Sequence, residues 1–215
     1  DGAYFDEFDR DIHVMKPFHI PLHWARLMSM DWGYTKPFCV LWAAVSDGTY
    51  RLDDGSYIPK DALIVYREWY GSDGEPDVGL KMPPAEAARG ILELSGKERF
   101  AKMVADPAIW GTQTGESVAE MMAREGVRFH KADNNRFNGW MQVHSRLKGD
   151  RNSDEKGKPL LYFFDTCRHL IRTLPALMHD QHKVEDVDTT MEDHAPDTLR
   201  YMCMARPRPN APKKD

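Results

Sequence analysis

The chain has 215 residues and a mass of 24.8 kDa, within the size at which one hydrophobic core serves a whole domain. Its residues are 41% hydrophobic and 11% aromatic, with six Trp, which supplies a core and excludes disorder over most of the length. A formal net charge of −5, from 29 basic and 34 acidic residues, excludes the uniformly basic surface of a tight nucleic-acid binder, although bound divalent cations would invert the sign locally.

Residues 1–26 are acidic and then Pro/His-rich (KPFHIPLHW) and show no sustained period, so they read as an irregular leading segment. Residues 27–33 (LMSMDWG) and 37–45 (PFCVLWAAV) are short apolar runs punctuated by Gly and Pro, the pattern of two strands. Asp-Gly turn signals fill residues 46–61. Residues 62–70 (ALIVYREWY) are rich in β-branched and aromatic side chains and complete an antiparallel meander. From Pro84 the period changes to helical, with Ala87, Ala88, Ile91 and Leu92 on one face and Gly96 beyond the end.

Helices and strands then alternate. Residues 100–105 read as a strand, 117–124 as a helix closed by Gly126, 127–130 as a strand and 137–147 as a helix. A polar segment (KGDRNSDEKGKP) reads as loop and residues 160–164 as a further strand. Asp165 is placed to cap a helix running to about Met178, and a last helix starts near His194 or Pro196, ahead of the Pro/Lys-rich tail 207–215. The result is an α/β chain with a mixed sheet, a three-strand antiparallel meander followed by alternating helices and strands, and helices on both faces.

No run approaches the roughly 18 apolar residues of a membrane span, and no signal-peptide pattern opens the chain, so a cytosolic protein is expected. Cys39, Cys167 and Cys203 are far apart in sequence and in no C-x-x-C pair, which makes them buried thiols rather than disulfide or zinc ligands. The first residue is Asp and the opening DGAYFDEFDR reads as the interior of a longer chain.

The chemistry is carried by carboxylates. Asp31 interrupts an apolar run (MSMDWG), where an acid is costly to bury unless paired or metal-bound; a turn residue at the strand end is the alternative. Asp106 (VADPAIW) stands where a second apolar strand stops at Pro107, and both acids therefore sit at carboxyl ends of strands, the edge that binds ligands in open α/β sheets. Its alternative is an N-cap. In EDHAPDTLRY, His194 and Asp197 are three apart and share one helix face, with Asp193 either a further ligand or merely the cap. Three carboxylates from separate parts of the chain, without H-E-x-x-H, suit Mg²⁺ or Mn²⁺ better than zinc. Two such ions roughly 3.5–4 Å apart hydrolyse phosphodiesters. Glu68 is a weaker candidate, assigned to one strand face with Ile64, Tyr66 and Tyr70; a surface ion pair beside Arg67 is the alternative.

MDWG at Asp31, VYREWY around Glu68, ADPAIWG at Asp106, ADNNRFNGW from Ala132, FFDTCRHLIRTLP from Phe163 and EDHAPDTLRY together resemble the C-terminal nuclease domain of the large terminase subunit of tailed bacteriophages. The resemblance covers about Phe5 to Arg206. It implies an RNase H-like fold over residues 27–206, metal-dependent cutting of concatemeric double-stranded DNA, and Asp31, Asp106 and Asp197 as the catalytic, metal-binding acids. His194 matches a position that assists metal binding, and Asp193 an outer ligand. It further implies two Mg²⁺ or Mn²⁺ ions, portal protein and small terminase subunit as partners, and action in the host cytoplasm at the procapsid. The family's ATPase half has the form G-x-x-x-x-G-K-[ST]; no such run occurs here, so residues 1–26 are expected to be the junction to it.

Arg136, Arg146, Lys148, Arg151, Lys156 and Lys158 gather around the polar loop and are candidate phosphate contacts, with a solvated loop as the alternative. Other RNase H-like enzymes, a Holliday-junction resolvase or a transposase core, would share the acids, and a non-catalytic portal-docking module would share only the fold.

Overall fold

The computed structural model describes residues 2–112, 115–149 and 158–215. Its strands are β1 (Val14–Met15), β2 (Arg26–Asp31), β3 (Cys39–Val45), β4 (Leu63–Tyr70), β5 (Lys102–Ala105), β6 (His130–Lys131) and β7 (Leu161–Phe164). Its helices are α1 (Arg10–His13), α2 (Pro84–Ser95), α3 (Val118–Arg124), α4 (Arg136–Lys148), α5 (Arg168–Thr173) and α6 (His194–Ala205). The strands form one mixed sheet in the order β1-β7-β4-β3-β2-β5-β6. β2, β3 and β4 are the antiparallel meander that the sequence implies, and β5 and β7 flank it, parallel to β2 and β4.

Both faces are covered, which is why β3 is buried at every residue and reads as an unbroken apolar run. Paired residues share a face: Met28 lies opposite Trp42, and Trp42 donates Nε1–H to Ser95 Oγ at 3.0 Å, so this face meets α2. There Gly90 abuts the Trp69 ring so closely that a Cβ would stand 2.3 Å from it. Ser29 lies opposite Leu41 on the other face and donates to the carbonyl of Thr198 at 2.8 Å, which fixes α6 across β2. Pro opens α2, while Ser117 and Asn135 cap α3 and α4, as the sequence signals require.

The leading segment is more ordered than its composition suggests. β1 pairs parallel to β7 and widens the sheet, and Tyr4, Phe5, Ile20 and Trp24 are buried in the core. These residues fill gaps at the sheet margin and not one face of an element, so they carry no period. The helix expected from Asp165 starts instead at Arg168, after a turn in which Cys167 N–H bonds the Phe164 carbonyl. It gives way to a 3-10 turn at Leu174–Ala176, where Pro175 removes a helical donor.

Cys167 provides no side-chain cap for α5; Glu68 does so from β4, accepting His169 N–H at 2.9 Å and Leu170 N–H at 2.7 Å. Glu68 thus serves as a helix cap and makes no surface ion pair among the described residues. A β-bulge opposite Trp42 and Ala43 also breaks the face it was assigned, because Tyr66 and Arg67 both reach Glu98 on the α2 side. Replacing the cap by Glu68→Ala is expected to lower the urea-unfolding free energy by about 1–2 kcal/mol, with Glu68→Gln losing less because it keeps an acceptor. Equal stability of Ala and wild type would refute the capping role.

Candidate metal centre

Strand register alone brings the first two acids together. Met30 of β2 pairs with Ala105 of β5, and Asp106 N–H donates to the Met30 carbonyl at 3.2 Å, so Asp31 and Asp106 leave adjacent parallel strands at the same edge, where strands are roughly 4.8 Å apart. β2 is flanked there by antiparallel β3 and parallel β5, a switch of direction of the kind that hosts ligands in such sheets.

α6 supplies the rest. Asp31 is on the Ser29 face of β2, two residues along, and so faces the first turns of the helix that Ser29 anchors. His194 Nδ1 stands 3.8 Å from Asp31 Oδ2, an ion-pair distance too long for a hydrogen bond. Its Nε2 bonds Asp77 Oδ1 at 2.6 Å, and Asp77 in turn receives Lys36 Nζ at 2.7 Å. Asp197, one turn on, is held by Arg200 at 3.2 Å and approached by Arg136 at 3.7 Å. The Arg200 stem runs so close to Gly139 of α4 that a Cβ there would stand 2.4 Å from Arg200 Cγ. Asp193 occupies the N-cap position but makes no side-chain capping bond.

The electrostatics show an excess of negative charge. Burial, reinforced by the charges of Asp197 and Asp106, raises Asp31 to about 6 despite His194. Burial and the charges of Asp197 and Asp31 raise Asp193 to about 7, and burial raises Asp197 against the pull of Arg200 and Arg136. Burial alone would lower His194, but the nearby Asp31 carboxylate and the hydrogen bond to Asp77 outweigh it and lift the imidazole to about 9. Among the described residues no three Asp, Glu, His or Cys side chains already stand close enough to hold a metal ion. Asp106 instead caps the 3-10 turn that follows it, through Ala108 N–H at 3.0 Å. The donor set still fits a hard divalent cation, since it is oxygen and imidazole in type and short of countercharge.

A pH dependence follows for the metal-free chain. Groups raised in the folded state favour folding below their unfolded values and lose that contribution as pH rises through the folded ones. For Asp31, 14% exposed in its side chain, the window runs from 3.8 to about 6, and the loss is on the order of 3 kcal/mol. Asp193 and His194 extend the same trend toward 7 and 9. In EDTA the melting temperature should therefore fall between pH 5 and 8, and the fall should shrink in Asp193→Asn; a flat profile in both proteins would contradict this charge balance.

The basic candidates divide. Arg136 belongs to the acid edge, bonded to Asp186 at 3.0 Å. Arg146 is not a surface cation: it is 2% exposed and donates to the carbonyls of Asp61, Leu160 and Arg206. Lys148 ends α4, and Lys158 donates to the Tyr57 carbonyl. β7 begins level with Leu63, which pairs with Val45 near the start of β2, so Lys158 lies at the opposite edge, roughly 17 Å from the acids at a strand rise of about 3.4 Å. Arg151 and Lys156 lie outside the described residues.

Four site residues escape the sequence reading. Asp77 comes from the β4–α2 connection, whose backbone bonds Thr35 and Tyr34, and nothing local marks it. Glu192, which receives Tyr70 Oη and Arg172, is equally silent. Arg200 is signalled by its three-residue spacing from Asp197, and Asn134, which accepts from Arg200 at 3.0 Å, only by the fold. The three cysteines are free and buried, as expected. No described helix is long and apolar enough to cross a membrane.

No family model matches the chain, and no curated protein matches it. Solved structures do. The large terminase of the thermophilic bacteriophage D6E superposes with a TM-score of 0.71 at 18% identity, over 95% of this chain and 44% of that one. The P22 large terminase nuclease domain gives 0.67 at 15% identity, over 95% and 92%. The large terminase nuclease of the thermophilic phage G20c, with bound cobalt, gives 0.59 at 9% identity, over 95% and 97%. The chain spans less than half of the D6E protein and nearly the whole of the two nuclease domains. It has the RNase H-like fold of these nuclease domains.

Proposed function

We propose that this chain is the nuclease domain of a phage large terminase subunit, a Mg²⁺- or Mn²⁺-dependent endonuclease that cuts concatemeric double-stranded DNA during genome packaging. The observation that carries the reading is the meeting of Asp31, Asp106 and the Asp193–Asp197 turn at one sheet edge, where burial and the charges of Asp197 and Asp106 raise Asp31. A terminase nuclease structure of the same fold contains cobalt, which favours a divalent ion as the cofactor of this chain.

Asp31, Asp106 and Asp197 would hold the ions, with His194 and Asp193 at the margin. Two divalent ions in such a site neutralise the phosphodiester and supply an activated water. The chain's own residues set up that site. Ser29 fixes α6 so that Asp197 faces Asp31. Asp77 orients the His194 ring through Nε2. Arg136 places a cation beside Asp197, where it would be available to a phosphate oxygen. The packaging motor would supply the ATPase domain, the portal protein and the small terminase subunit as partners, in the host cytoplasm.

Plasmid nicking tests the reading. Supercoiled DNA should be nicked and linearised with Mn²⁺ or Mg²⁺, not in EDTA, and activity should fall steeply with salt because phosphate contacts are electrostatic. Cutting of branched junctions in preference to plain duplex would favour a resolvase, and no cutting with either ion would favour a docking module.

A further inference from the structure

A second charged site lies at the sheet edge opposite the acids. Lys60, Asp61, Arg146, Arg206 and Arg208 line a cavity of about 320 Å³, at the low end of the roughly 300–1,000 Å³ range of small-ligand sites. Four of the five are cations. Asp61, paired with Arg206 at 3.0 Å, is the single carboxylate among them. Arg146 forms the floor, ordered by three backbone carbonyls; among the described residues no carboxylate is in contact with it and its Nε has no hydrogen-bond partner. Among the described residues the Arg208 guanidinium bonds only neutral oxygens of Ser145, and Lys60 is exposed, with no hydrogen bond or ion pair.

Buried guanidinium charge is normally met by a carboxylate or phosphate. Here the charges of Arg206 and Arg208 add to it, and with burial they hold Arg146 below the usual guanidinium range. The arrangement matches an oxyanion: a rigid cationic floor, and arginines and a lysine at the rim able to present several N–H donors to phosphate oxygens.

We propose that this pocket binds a phosphate group, with Lys60, Arg206 and Arg208 as its contacts over the Arg146 floor. The site is separate from the acid edge and does not depend on the nuclease reading. Its phosphate can come from the free ion or from a DNA backbone.

Calorimetric titration of the intact chain with inorganic phosphate, in phosphate-free buffer with EDTA to silence the metal edge, tests this. Saturable one-to-one binding is expected. Lys60→Gln with Arg206→Gln should weaken it at least tenfold at unchanged melting temperature. Asp61→Asn should tighten it by removing the competing carboxylate, and Asn is compatible with the positive φ of 68° at that position. Short duplex DNA that displaces phosphate, and is itself weakened by the double variant, identifies the backbone as source; phosphate binding undisturbed by duplex identifies the free ion. Absence of saturable binding would overturn the proposal, as would affinity unchanged in both the double variant and Asp61→Asn.

Discussion

Asp31→Asn is expected to abolish metal-dependent nicking while making the metal-free protein more stable. The two effects have one cause. Asp31 is buried among other acids and rises to about 6, so at neutral pH the fold holds a carboxylate in a place that disfavours its charge. Asparagine keeps the shape and removes the charge. In EDTA at pH 7 the melting temperature should rise, by about 2–4 °C for each kcal/mol recovered in a domain of this size. With metal present, the loss of a ligand should lower the nicking rate by about 10³-fold, the order found when one group that stabilises a transition state electrostatically is removed. Undiminished nicking would remove Asp31 from the metal site, and a lowered melting temperature in EDTA would make it a structural residue. The combination of lost activity and gained stability is the signature of a strained functional carboxylate, which a misfolding variant cannot imitate.

The second large effect belongs to Arg200. Its side chain is 1% exposed and bonds Asp197 and Asn134, and its charge lies over the rings of Trp140 and Tyr201. Arg200→Met keeps much of the stem that packs on Gly139 but leaves Asp197 buried with only Arg136 in attendance, at 3.7 Å. Breaking a buried pair from one side costs about 3–5 kcal/mol, so thermal unfolding in EDTA should move down by roughly 10 °C. If Asp197 is a metal ligand, Mn²⁺ should restore more stability to this variant than it adds to the wild type, because the ion replaces the missing countercharge. An equal increment in both proteins would mean that Asp197 does not meet the metal.

The legible and illegible parts of the site differ in a definite way. Asp31 and Asp106 stand out because each acid ends an apolar run, and strand ends are marked locally by composition and by Pro107. The pairing of His194 with Asp197 follows from helical spacing, whereas Arg200, three residues beyond Asp197, escapes it. Glu68 carries the same local signal as Asp31: an acid in an apolar strand signals a buried task, but not which one. Its task is to cap a helix 101 residues away. Arg146 is the opposite case, since a basic residue next to a polar loop looks solvated and is in fact buried as the pocket floor.

By itself the sequence determined the alternation of elements, the antiparallel meander and the strand-end position of two acids, because these depend on the order of neighbours along the chain. Only the tertiary structure decided that α6 lies across β2 with His194 between Asp31 and Asp77, that Glu68 serves α5, and that Arg136 stands beside the acids while Arg146 and Lys158 lie at the opposite edge. Those facts turn on strand direction, on one β-bulge and on which helix covers which face. Each is fixed by contacts between residues far apart in the chain, whose partners are chosen when the whole core closes.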